Sequence, residues 1–232
     1  MRIFLYVTVN NFVEPCLRVF VIVTVNNYDN TVGVLLEVNC QTDFIAKNEY
    51  FQELTDKLTK CIFENSPKDL GTLLKASCDG QIVGDLVSSC IAKTRENIVV
   101  RRFHLIKGFN ASTVVVAYAH PLGRKYGALI KLEADKPITG NVSGIVGLGR
   151  DLAMHVVAFR PQFLSKQAIL DDMIDGEDGS KLNNTYLIQN CLMEQPFVKD
   201  PGLSVGKYLE EQGKAHGAKL NVTDYVFYGL GQ

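Results

Sequence analysis

No excess of positive charge marks this chain: its 24 lysines and arginines stand against 25 aspartates and glutamates, for a formal net charge of -1. Grip on a phosphate backbone needs a basic surplus, so a direct nucleic-acid ligand is not expected. Asn10-Asn11 and Glu14-Pro15 break the apolar start of the chain, leaving a poor signal-peptide core and no reason to expect a membrane partner. An Arg-rich, Ser-rich mitochondrial presequence is not visible either. The six cysteines (Cys16, Cys40, Cys61, Cys78, Cys90 and Cys191) show no C-x-x-C pair and no neighbouring histidine. That spacing supports neither a zinc site nor a redox motif, and reduced, mostly buried thiols are expected. Sequons at Asn110, Asn141, Asn183 and Asn221 carry meaning only in a secreted chain, and nothing else points there.

Catalytic signatures are missing in specific ways. Gly144-Ile145-Val146-Gly147-Leu148-Gly149 has the wrong order for a dinucleotide loop, falls inside an expected helix and is followed by no phosphate-loop lysine. The chain is therefore not expected to bind GTP itself. His104, His120, His155 and His216 lie far apart, without H-E-x-x-H and without a recognisable nucleophile beside them. His155, among Ala153, Met154, Val156 and Val157, reads as a hydrogen-bonded core histidine. Residues 171 to 183, with Asp171-Asp172, Asp175-Gly176 and Asp178-Gly179-Ser180, read as an acidic surface loop. They lack the spacing and closing glutamate of an EF-hand. No enzyme, no metal and no cofactor is expected.

What the chain does have is ample apolar content, 47% of 232 residues, enough for one large or two small domains. It also repeats itself. Gly33-Val34-Leu35-Leu36-Glu37-Val38 resembles Gly127-Ala128-Leu129-Ile130-Lys131-Leu132, and each strand precedes a helix, over about 43 to 64 and about 141 to 159. Val83-Gly84-Asp85-Leu86 and Val205-Gly206-Lys207-Tyr208-Leu209 each open a helix ahead of a strand, Asn97 to Ile106 and Leu220 to Tyr228. A further strand, Ser112 to Ala119, opens the second unit. The expected fold class is α+β, with two related subdomains, each a small antiparallel sheet with helices packed on one face. Their bounds are 31–110 and 111–232, behind an atypical segment 1–30 that carries Val-Thr-Val-Asn-Asn twice. For that segment two expectations stand: a truncated or mis-assembled N-terminus, or an exposed aggregation-prone hairpin.

The junction Val38-Asn39-Cys40-Gln41-Thr42-Asp43-Phe44 takes a buried strand into a helix start. Taken alone it is ordinary: Thr42 or Asp43 caps the helix, and Phe44, two turns before Phe51, is core. Lys47-Asn48 can interrupt that helix, which would free Phe44 from the buried stripe.

The whole heptapeptide resembles the signature of the elongation factor Ts family, guanine-nucleotide exchange factors for the translational GTPase elongation factor Tu. Three more segments resemble family signatures, in family order: Tyr118-Ala119-His120 with Gly123 to Leu129, Asp151 to Ala158, and Pro196 to Pro201 with Ser204 to Leu209. The resemblance runs from about residue 31 to the end. It implies that the corner of Thr42, Asp43 and Phe44 enters the nucleotide domain of the GTPase near its magnesium and switch region, and that His120 touches the same partner. After His120 the chain departs from the family, with Pro121-Leu122-Gly123 in place of a glycine-rich continuation. The resemblance implies a small helical ubiquitin-associated-like module at the start, and the expectation from the first thirty residues is that it is missing or replaced here. An interaction protein that binds the GTPase but exchanges weakly is the alternative. The wording Lys125-Tyr126-Gly127-Ala128-Leu129, and the short stretch where bacterial members insert a helical hairpin, resemble the mitochondrial branch, which implies a mitochondrial location.

Overall fold

In the computed structural model the described residues are 2–9, 19–27, 29–120, 126–138, 142–173 and 184–229, with backbone alone for 2–9, 19–26 and 171–173. Strands β1 (Arg2–Val9), β2 (Val19–Asn26) and β3 (Val32–Cys40) lead into a single turn of helix, α1 (Asp43–Ala46). Then come α2 (Glu49–Asn65), α3 (Leu70–Lys75), a hairpin of β4 (Ser77–Cys78) and β5 (Gln81–Ile82), α4 (Val83–Thr94) and β6 (Ile98–Lys107). The second half runs β7 (Thr113–Ala119), β8 (Tyr126–Ala134), α5 (Val142–Phe159), α6 (Lys166–Met173) and α7 (Asn184–Asn190). It closes with the hairpin β9 (Pro196–Phe197) and β10 (Asp200–Ser204), then α8 (Val205–Ala215) and β11 (Leu220–Gly229).

Both main sheets are antiparallel, in the orders β1-β2-β3-β6 and β11-β8-β7. Period-two alternation sorts their side chains. Val34, Leu36, Val38 and Cys40 of β3 pack with Phe51, Leu54, Leu58 and Ile62 of α2. In the other sheet Val114 and Val116 of β7 and Ile130 and Leu132 of β8 pack with Leu148, Leu152 and Val156 of α5. The residues between face the opposite way and join the sheets: Leu35 and Ile106 from the first meet Val115, Leu129 and Tyr228 from the second. Each buried aliphatic or aromatic side chain of this kind contributes roughly 1.5–3 kcal/mol. The architecture is thus helices, sheet, sheet, helices.

The internal repeat is visible in the fold. In each half a central strand is followed by helices, a short hairpin, a helix and a strand that returns beside the first. The two hairpin-to-helix junctions match closely, with the Val83 N–H donating to Ala76 O at 3.0 Å and the Val205 N–H to Gln195 O at 2.9 Å. Next to them, a Cβ on Gly84 would come 3.2 Å from Leu74 O and one on Gly206 3.2 Å from Met193 O, so both helices start against backbone. Gly149, the last of the glycine run whose order does not suit a dinucleotide loop, lies within α5 and lets it rest on β7, where a Cβ would fall 2.5 Å from Val116 Cγ2.

Two expectations change. The helix over about 43 to 64 is two helices, because Asn48 leaves helical geometry and its side chain accepts from the Tyr50 N–H to cap α2. Asp171 and Asp172 belong to α6 rather than to a loop, and the remainder of that loop, 174–183, lies outside the described residues. Within 1–30, β1 and β2 pair as an antiparallel hairpin and β2 pairs on its other side with β3, in the register Val9↔Val19↔Cys40. The first copy of the repeated Asn-Asn pair, Asn10-Asn11, lies outside them.

His155 is buried in α5. The Val198 N–H donates to its Nδ1 at 3.2 Å, which leaves the ring proton on Nε2 to be donated to Gln195 Oε1 at 3.0 Å. Phe159 and Phe197 stack on the ring at 4.8 and 5.9 Å. Burial holds its pKa below the ordinary 6.5, against the opposite pull of the Gln195 hydrogen bond. The ring is therefore neutral in the fold while an unfolded chain would protonate it at higher pH. Its contribution is complete above about pH 6.5 and is lost as pH falls from there toward the depressed native value. Replacing it by Ala should cost about 3 kcal/mol, through the cavity and two stranded hydrogen-bonding groups, and should flatten the pH dependence of stability below pH 6.5. Denaturant melts of both chains between pH 5 and 8 check this; parallel curves would contradict it.

Candidate functional site

Strand β3 ends at Cys40, and the chain turns through Gln41 and Thr42 into α1. Thr42 is extended (φ -131°, ψ 154°) and its hydroxyl accepts from the Ile45 N–H at 3.4 Å, so Thr42 is the N-cap and Asp43 the first helical residue. The turn closes at once, with the Lys47 N–H donating to Phe44 O at 3.2 Å and the Asn48 N–H to Ile45 O at 2.8 Å. Ala46 is buried and Ile45 packs against the core beneath α2. Asp43, Phe44 and Lys47 are left on the outer side.

Phe44 is 79% exposed. Because α2 restarts at its own cap, Phe44 is not in phase with Phe51, which is fully buried. Lys47 Nζ lies 3.5 Å from Asp43 Oδ2 in a solvent-exposed pair. Such a pair contributes roughly 0–1 kcal/mol, so the carboxylate is available to a partner at little cost.

The corner is held from behind by groups the sequence did not single out. The Thr42 hydroxyl donates to Glu96 Oε1 at 2.6 Å and the Thr42 N–H to Glu96 Oε2 at 3.0 Å. The Asn97 N–H donates to Gln41 Oε1 at 3.4 Å, and the Cys40 thiol to Thr42 O at 3.3 Å. Burial, followed by the Glu96 carboxylate, pushes the Cys40 thiol up to about 12, so it stays protonated as that donor. No local pattern joins Thr42 to Glu96, since 54 residues separate them.

His120 follows β7 in the other sheet. Its N–H donates to Tyr126 O at 3.0 Å and its ring meets that of Tyr118 edge-on at 6.5 Å. Pro121-Leu122-Gly123 fall outside the described residues. Beyond Tyr126, Arg160 at the end of α5 lays its guanidinium over the Tyr126 and Phe227 rings at 4.6 and 5.7 Å. Thr42, Asp43 and Phe44 thus share one turn, while His120 is presented by a different strand and sheet. Among the described residues no group of three or more His, Cys, Asp or Glu side chains is placed to hold a metal ion.

The family described as Elongation factor TS matches residues 41–184, beginning at the corner itself. Among similar proteins, elongation factor Ts of Syntrophotalea carbinolica is 34% identical over 226 residues, covering 88% of this chain and 73% of its own. That of Magnetococcus marinus is 32% identical over 224 residues (87% and 72%), and that of Thioalkalivibrio sulfidiphilus 30% over 224 residues (88% and 70%).

The exposure of Phe44 sets an outcome for the two phenylalanines that sequence periodicity placed together. Phe51→Ala should lower stability by about 3–5 kcal/mol through the cavity it leaves, and Phe44→Ala should change it by no more than about 0.5 kcal/mol. Urea melts of the two variants read the difference directly, and a large loss for Phe44→Ala would return that side chain to the core.

Proposed function

We propose, because this chain belongs to the elongation factor Ts family, that it is a guanine-nucleotide exchange factor that binds elongation factor Tu and promotes release of GDP and its replacement by GTP. The observation that carries this reading is the 79% exposed Phe44, an aromatic side chain standing on a turn whose backbone is hydrogen-bonded from behind. A projecting aromatic on a held backbone is the usual form of an interface anchor.

Exchange of this kind needs no catalytic base. A factor that binds the nucleotide-free GTPase more tightly than the loaded form must, by linkage, weaken the nucleotide by the same ratio. Burying one Phe in the partner is worth roughly 1.5–3 kcal/mol, and about 1.4 kcal/mol is tenfold in affinity, so Phe44 alone accounts for about tenfold to a hundredfold. In this reading Phe44 and Asp43 enter the nucleotide domain beside its magnesium site, the second subdomain grips elsewhere on the GTPase, and His120 also touches the partner. The chain itself hydrolyses no GTP. A mitochondrial location belongs to the same proposal, on the wording of residues 125–129 and the short stretch where bacterial members insert a helical hairpin; the relatives above are bacterial and lend it no support.

Stopped-flow release of fluorescent GDP from elongation factor Tu tests the reading. The parent chain should accelerate release, Phe44→Ala should lose about tenfold to a hundredfold of that effect, and His120→Ala should weaken binding modestly. An unchanged release rate at saturating factor would sink the exchange reading, and binding without release would leave the interaction protein in its place.

A further inference from the structure

Phe44 makes little packing contact of its own, so the direction in which it projects is set by the backbone of α1. A four-residue turn has no independent stability, because nucleating a helix costs more than one turn returns. Something outside the turn must hold it. Ile45 and Ala46 anchor its inner side, but they leave open how the chain leaves β3.

That exit is fixed at Thr42, and we propose that Glu96 is a positioning residue for exchange, holding the Phe44 corner in the orientation that enters the GTPase. This rests on the exchange reading above. Glu96 stands between α4 and β6, where Arg95 adopts a left-handed conformation (φ 57°) and turns the chain back toward β3. Both carboxylate oxygens are engaged by one residue, Oε1 by the Thr42 hydroxyl and Oε2 by the Thr42 N–H. The first bond commits the hydroxyl proton, which leaves the oxygen's lone pairs to accept the Ile45 N–H and cap the turn. The second fixes the peptide plane entering Thr42. One carboxylate therefore sets both the side-chain rotamer and the backbone at the position from which Asp43 and Phe44 are hung. Charge-assisted hydrogen bonds are the stronger kind, so this hold outweighs the neutral tie from the Asn97 N–H to Gln41.

The test uses the full chain with Glu96→Ala, Glu96→Gln, Phe44→Ala and the double variant Glu96→Ala/Phe44→Ala. Amide hydrogen exchange of the free protein is read at Thr42 and Ile45, and GDP release is read with elongation factor Tu. Glu96→Ala should speed amide exchange at both positions and slow stimulated GDP release by roughly tenfold, the equivalent of one charge-assisted hydrogen bond. Glu96→Gln keeps one acceptor oxygen and should recover part of each loss. In the Phe44→Ala background, Glu96→Ala should slow release little further, because the residue acts through the phenylalanine. Unchanged protection at Thr42 and Ile45 overturns the proposal, as does a release defect that multiplies with that of Phe44→Ala. If the parent chain itself leaves GDP release unchanged, the exchange reading fails on its own; protection at Thr42 then decides whether Glu96 holds the corner, lost protection sustaining that hold and unchanged protection refuting it.

Discussion

Strand β3 is buried on both faces, and this removes its freedom of register. A slip of one residue would drive Glu37 and Asn39 under α2 and push Val34, Leu36 and Val38 between the sheets. The polar side of the strand is itself pinned. Glu37 is almost fully buried and takes Arg101 Nη1 at 3.0 Å and Arg102 Nε at 2.6 Å, while Arg102 lies 4.2 Å over the Tyr228 ring of the opposite sheet. Two consecutive arginines reach one carboxylate because the register of β6 slips between Glu37 and Val38, leaving Arg101 as the extra residue of a bulge. These contacts tie β3 to β6 and, through Arg102 on Tyr228, to the second sheet. The corner after Cys40 inherits that fixed position.

The two halves use one plan for different ends. Each places a central strand under helices and returns a second strand beside it, and the faces left over meet in the shared layer around Leu35, Val115 and Leu129. In the first half, an interruption at Lys47-Asn48 detaches a single turn from α2 and turns its outer side to solvent. In the second, α5 is one continuous helix that glycine brings directly onto β7, and its His155 is spent on the core. A projecting aromatic therefore arises where the repeat is broken, and a buried polar network where it is kept.

Much of this layering was legible in the sequence, because strands with apolar residues on both parities and helices with apolar stripes leave periodic traces, as in Val34–Val38 and Phe51–Ile62. Phe44 was undecided by periodicity, since its distance from Phe51 suits a buried stripe as well as a detached turn; only the Asn48 cap settles the phase. Glu96 was beyond reach for a different reason, as its partner is set by tertiary folding across 54 residues. The same holds for His155, whose core role could be read from its apolar neighbours but whose acceptor, Gln195, could not. The β4–β5 hairpin is another matter: its turn, Asp79-Gly80, with φ of 50° and 79°, carries a signature that is local in the sequence. Strands in the first thirty residues were readable as strands, while their pairing along β3 was not.

In the exchange proposed above, Phe44 acts on the difference between two states of a partner rather than on the fold of its own chain. Calorimetric titration of the parent chain and Phe44→Ala against nucleotide-free and GDP-bound elongation factor Tu measures that difference directly. The parent should bind the nucleotide-free form more tightly, and Phe44→Ala should shrink the ratio of the two affinities by about tenfold or more. Equal affinities for the two forms in the parent, or a ratio untouched by Phe44→Ala, would contradict it.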